Sequence, residues 1–390
     1  MLKQVTFADN SKYTFDYTSY GQINRFNTYA PDGHLLAYTS YNMQTGGTLA
    51  DCPRFSERRD WAQNRNFVGG VASEAVTAYT VDPSGSNGWT QITYPDNTKH
   101  KEIFATSGWQ TGLTTRTEEY DAANTMQKWT TTTWTQDNLY AGYQINPRPT
   151  DADIYDASGN HKHTHIEYTA YASFTLPNDV TEYDSNGTTP LRRTHTDYRW
   201  DQGFLDHYVI GLPAIKYVYD GGGGLLSKLE YHYDWAAPYM ISQGTPVQHD
   251  EANYGSSFIF GRGNLTGVGR WNVFAPNDQS QAIYVSLLRY NTNGSVYFTE
   301  DAAGHQTNIN YNDSYSDGIN RNTMAYPATV TNADGYTSTM WYSYDLGAVT
   351  RTQSPPAAGQ TEGAVQVMFY EQMGRIQNLI THYNGADYAL

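Results

Sequence analysis

The chain has 390 residues, and 24 Lys and Arg against 39 Asp and Glu give a net charge of −15, which argues against the basic surface needed to bind nucleic acid. Its single cysteine, Cys52, excludes an internal disulfide and a cysteine-based zinc site, and no apolar run approaches the ~18 residues of a membrane span. Aromatics make up 15%, charged residues only 16%, and Tyr (35) outnumbers Gly (34), which is the composition of a β protein.

Residues 1–50 read as two hairpins. Val5 and Phe7 alternate, Asp9-Asn10-Ser11 turns, and Tyr13, Phe15 and Tyr17 alternate again. Pro31-Asp32-Gly33 makes the second turn before Leu35 to Tyr41. The first residues already read as a strand and not as a signal peptide. Met43 to Gly47 reads as a loop. Ser56 to Trp61 predicts a short helical turn, with Ser56 as N-cap and Glu57 near the positive end of the dipole. Residues 1–73 are thus expected to be divergent repeats with a loop and short-helix insertion at 42–70.

Residues 74–390 are expected to form one continuous sheet segment. Val76 to Val81, Gln91 to Tyr94, Gly112 to Tyr120 and Met126 to Thr135 predict strands, and Asn146-Pro147-Arg148-Pro149 predicts an interruption, because proline cannot donate to a ladder. Tyr217 and Tyr219 alternate into the Gly221–Gly224 run, and Leu229, Tyr231 and Tyr233 alternate out of it, which makes one hairpin. No Lys-Ser/Thr and no helix pattern follow those glycines, so they are not a phosphate loop. Ala236 to Ser257 is the longest predicted irregular connection. Phe258 to Val273 and Ala282 to Tyr290 return to strands. Gln353 to Gly363 is a second long loop, and Val365, Val367 and Phe369 alternate after it. The chain stops just after Tyr383-Asn384-Gly385, where another turn begins. Unpaired edges at both ends lead us to expect a longer parent polypeptide.

One turn form recurs along this course. It is Tyr155-Asp156…Gly159, Tyr183-Asp184…Gly187, Tyr219-Asp220…Gly223, Tyr290-Asn291…Gly294 and Tyr370-Glu371…Gly374, with Tyr120-Asp121…Asn124 a close variant. Looser copies are Tyr29…Gly33, Asp82…Gly85, Asp301…Gly304 and Asn332…Gly335. Each position has a physical task. The tyrosine ends a strand and covers a half-buried face. The Asp or Asn accepts from backbone N–H groups two residues on. The glycine, or Asn124, takes the left-handed conformation that reverses the chain.

These residues resemble the YD-repeat (Rhs) family, whose signature is Tyr-Asp-x-x-Gly followed by Arg or Asn and an aliphatic residue. Tyr370-Glu371-Gln372-Met373-Gly374-Arg375-Ile376 fits best, with Glu for Asp, and Tyr155 to Asn160 comes next. The likeness is strongest from about Tyr120 onward. It implies an all-β fold of antiparallel hairpin repeats in a spiralling sheet, the hollow shell of bacterial Rhs and Tc toxins and of animal teneurins. The uneven spacing of Tyr155, Tyr183, Tyr219 and Tyr290 favours an open spiral over a propeller. The resemblance also implies an extracellular or cell-surface location. Its partner would be the rest of a parent polypeptide, including a C-terminal effector. In that family an Asp-Pro-x-Gly motif lies near a self-cleavage site, but Asp82-Pro83-Ser84-Gly85 lacks the flanking pattern and reads as an ordinary turn. No catalytic aspartate is transferred, and no cofactor is expected.

Other constellations carry residue types that could do chemistry. His161, His163 and His165 alternate, so a strand places them on one face. Three imidazoles can bind zinc or copper, but same-strand neighbours lie nearly 7 Å apart, so a polar strip facing solvent or a lumen is the plainer reading and no metal site is assigned. Glu118, Glu119 and Asp121 form an acidic cluster that nothing distinguishes from solvated acids, although a polysaccharide hydrolase would need such a carboxylate pair. Asn312 to Gly318 has a calcium-loop flavour without the acid spacing, and reads as an Asx-rich turn. Cys52 reads as a small buried residue. A structural shell segment is the first reading. A glycan- or cell-surface-binding module is the alternative, with Trp109, Trp129, Trp134, Trp200, Trp271 and Trp341 as candidate contacts.

Overall fold

Rings and threonines alternating with polar residues are what a pleated, half-buried surface selects. The computed structural model describes residues 1–43, 55–63, 65, 74–82, 88–169, 171–235, 238–371, 374–383 and 385–389. The described residues form 27 β-strands and only two α-helices, Gln202–Leu205 and Glu251–Tyr254. The fold is all-β and almost wholly antiparallel. The chain divides into two units, Met1–Arg193 and Thr194–Leu390.

In the first unit every strand from Gln4–Thr6 to Asp179–Tyr183 pairs antiparallel with the next in sequence. Such a meander needs no long crossover, so each hairpin is fixed by its own turn. Strands Trp89–Thr93, Lys99–Phe104 and Asp179–Tyr183 are half-buried at every position. A sheet of this kind is held by side-chain pairs across strands, worth about 0.2–1 kcal/mol each, more than by one deep core. Tyr38 stacks on Trp61 at 5.5 Å, Phe55 meets Tyr79 edge-on at 4.9 Å, and Trp129 stacks on Tyr155 at 4.9 Å.

The second unit continues the hairpin pattern and adds local packing around Phe204. Strands Leu265–Arg270 and Ile283–Asn291 pair antiparallel, as do all later neighbours to Ala386–Ala389. Phe204 is fully buried and packs on Phe260 at 4.9 Å. Asp234 organises the loop opposite: its carboxylate accepts from the N–H groups of Gly261, Arg262, Gly263 and Asn264 at 2.8–3.0 Å.

Four expectations are corrected. Ser56 to Trp61 is not a helical turn but lies in the strand Phe55–Ala62, paired on both sides. The local charge pattern has period two: Arg58 Nε pairs with Asp60 at 2.9 Å, and Arg59 with Glu57 at 2.6 Å, each across one residue on the same face. Pairing on two edges outweighs a cap on a helix too short to stand alone. Pro149 does not interrupt the sheet. It sits in the strand Arg148–Asp156 opposite Trp134, at a bulge where a missing donor is tolerated. Finally, the predicted irregular stretch after Ala236 contains the helix Glu251–Tyr254 and a short strand, Met240–Ile241, that pairs in parallel with Tyr290–Asn291. The strand predicted from Phe258 is confined to Leu265–Arg270. Cys52, the loop after Met43 and the glycine of the Asp82 turn lie outside the described residues.

Candidate functional site

The recurring turns share one geometry. At Asp156, the Gly159 N–H donates to the Asp156 carbonyl at 3.0 Å, and the Asp156 N–H donates to the Asn160 carbonyl at 3.1 Å. The same two bonds recur at Asp121/Asn124, Asp220/Gly223, Asn291/Gly294, Asp301/Gly304, Asn332/Gly335 and Glu371/Gly374. Asp184 differs only in being one residue longer on its far side, where its N–H reaches Thr189. Every fourth residue is left-handed, from φ +65° at Asn124 to +88° at Gly223. This is a three-residue hairpin loop closed by a left-handed residue. Its acid is a working part: Asp220 Oδ1 accepts from the Gly222 and Gly224 N–H groups at 2.9 and 2.7 Å, and Asp301 and Asn332 do the same in their loops. Glu371, one methylene longer, turns its carboxylate to Arg375 instead.

The turn fixes register. The residue before the acid faces the residue six positions later: Tyr120 faces Met126, Tyr155 faces His161, Tyr219 faces Leu225, Tyr290 faces Val296 and Tyr370 faces Ile376.

A second device was not foreseen. An aromatic at or just past the end of one strand donates to a carbonyl at, or within two residues before, the start of the strand before it. Tyr290 Oη reaches Leu265 at 2.7 Å, Tyr370 reaches Val349 at 2.7 Å, Tyr342 reaches Pro327 at 2.9 Å and Tyr311 reaches Val296 at 3.1 Å. Tyr17 does so to Leu2, and Trp134 uses its indole N–H on Thr114 at 2.8 Å. Phenylalanine cannot do this, so the excess of Tyr (35) over Phe (13) was the available signal.

The three histidines come together with two aspartates. Register sets Asp151 opposite His165, Asp153 opposite His163 and Tyr155 opposite His161. Asp153 Oδ1 accepts from His161 Nε2 and His163 Nδ1, both at 2.8 Å, and Asp151 Oδ1 accepts from His165 Nδ1 at 2.6 Å. Asp153 is pushed up by burial, but its two imidazole partners outweigh that and hold it below its ordinary value.

The remaining candidates separate. Glu118 is buried and bound by Arg116 at 2.6 Å and the Tyr120 hydroxyl at 2.7 Å, whereas Glu119, one residue on, meets His100 at 2.6 Å. Successive strand residues face opposite ways, so these two carboxylates do not converge. Burial, then Glu118, pushes the Tyr120 hydroxyl up to about 12. Asp313 spends both oxygens on the N–H groups of Arg321, Thr323 and Met324, an Asx-type clamp. Of the six candidate tryptophans, Trp200 is exposed, while Trp271 lies under Lys228 at 3.7 Å and Trp341 under Arg351 at 4.4 Å. No helix among the described residues is long and apolar enough to cross a membrane.

These features define a class: an all-β antiparallel hairpin-repeat protein built on Tyr-Asp-x-x-Gly turns. No family model matches the chain, and no curated protein matches it. Among solved structures it is similar to a chain of the TcdB2-TccC3-Cdc42 crystal structure, with 10% identity, 95% of this chain and 19% of that one covered, and a TM-score of 0.38. It is also similar to a chain of the Photorhabdus luminescens Tc holotoxin pore, with 9% identity, 95% and 22% covered, and a TM-score of 0.27. A porin-like protein from Bacteroides uniformis gives 12% identity, 75% and 90% covered, and a TM-score of 0.25. The chain spans about a fifth of the length of the Tc toxin chains it matches.

Proposed function

We propose that this chain is a wall segment of a YD-repeat shell, part of a longer extracellular or surface polypeptide, and that its work is to enclose another part of that polypeptide. One observation carries the reading: the same hairpin turn, with the same two backbone bonds and the same left-handed fourth residue, recurs in both units. A repeat that adds one strand at a time has no inherent length limit and makes a wall. The enclosing role comes from the resemblance of the turn residues to that family. The turn and latch residues act mechanically, and no catalytic group is assigned.

The test uses the natural gene product. The gene on either side is expected to continue with further Tyr-Asp-x-x-Gly turns. When the full product is treated with protease, the segment following the repeats should stay intact until the sheet is denatured. Digestion of that segment at the rate of the free segment would overturn the enclosing role.

A further inference from the structure

We propose that Asp153, His161 and His163 bind a divalent transition-metal ion of the zinc, nickel and copper class. Two imidazole nitrogens and a carboxylate oxygen, all within 4.8 Å of one another, converge from two adjacent strands. Convergence from two strands removes the objection that same-strand histidines stand too far apart. The donor set of two nitrogens and one oxygen suits a borderline divalent ion and leaves a coordination position open.

The site is supported on several sides. His161 stacks flat on Tyr155, with ring centres 4.3 Å apart and planes within 4°, and Tyr155 stacks in turn on Trp129. The next repeat's turn closes over its edge: a side chain at Gly187 would place its Cβ 2.5 Å from His161 Cε1. His163 leans on Tyr183 at 4.8 Å. The turn residues of two successive repeats therefore fix both rings. His163 Nε2, the nitrogen not aimed at Asp153, faces Asp151 at 3.7 Å. A shortening of that contact to hydrogen-bond length would give His163 the carboxylate partner usual for a metal-bound histidine. A cleft of about 490 Å³, walled by His161, Lys162, Glu182 and Arg192, opens beside His161.

Binding exchanges protons for the ion. His161 Nε2 and His163 Nδ1 each lie 2.8 Å from the same Asp153 oxygen, a geometry in which each nitrogen donates its proton to the carboxylate. Each imidazole that ligates through that nitrogen either moves its proton to its other nitrogen or releases it, and the ion takes the vacated lone pairs.

The experiment titrates the purified chain with zinc chloride by calorimetry in metal-free buffer, and separately records the visible spectrum with cobalt(II). One saturable zinc site per chain is expected, with cobalt bands distinct from the hydrated ion. Asp153→Asn, His161→Gln and His163→Gln should each weaken zinc binding at least tenfold. His305→Gln, on an exposed turn, should leave it unchanged. No saturable site in the natural chain, or a cobalt spectrum matching the free ion, overturns the proposal whether or not the variants fold. So does a site that survives all three substitutions.

Discussion

At the scale of single residues, the turns rest on one backbone conformation. Gly223 has φ +88° and open space where a Cβ would sit, so its glycine answers a dihedral demand and not a packing one. Gly223→Val should cost about 1–3 kcal/mol, because a β-branched residue enters that region only under strain. Gly223→Asn should cost clearly less, since Asn124 already occupies the equivalent place at φ +65°. Urea denaturation of both variants checks this, and equal losses would refute the dihedral account. Gly187 is different: His161 fills the space beside it, so any side chain there also collides with a ring.

At the scale of the strand, the aromatic latch ties several strands to their predecessors. Tyr290 is buried and spends its hydroxyl on Leu265. Tyr290→Phe keeps the ring and abandons one carbonyl, so a loss of about 1 kcal/mol is expected. An unchanged melting temperature would mean that water satisfies that carbonyl equally well. The strand Phe55–Ala62 shows the limit of local reading at this scale. Ser56 and Glu57 carry a helix-start signal, yet edges on both sides were waiting for a partner. The turns were legible because their residues act on their own neighbours. The His–Asp pairing was legible in principle too. A turn that sets Tyr155 against His161 must set Asp153 against His163 and Asp151 against His165. Missing was the six-residue step, which had to be measured once before it could be counted outward.

At the scale of the molecule, carboxylates that organise turns and bridges are spread along both units. Asp156 is held below its ordinary 3.8 by Asn160's side chain and backbone, and Asp301 by His305. Glu118 is raised by burial but lowered further by Tyr120 and Arg116, and Glu182 is lowered by Lys162 and, against some burial, by Arg192. A depressed carboxyl stabilises the fold above its unfolded value and loses that contribution as pH falls through the folded one. These contributions should therefore be intact above about pH 4.5 and vanish progressively in more acid solution. Melting temperatures measured from pH 6 to pH 3 should fall in the acid range. A flat profile there would contradict the sum of these assignments.

The amino-acid sequence by itself determined the all-β class, the places where the chain reverses and the residues that reverse it. Each of those depends on a dihedral preference or on a hydrogen bond spanning four residues. Tertiary structure alone decided which tyrosine reached which carbonyl and that Pro149 would find a bulge. Those outcomes depend on where a neighbouring strand lies and where a bulge shifts its register, and neither is set by a residue's own local preferences.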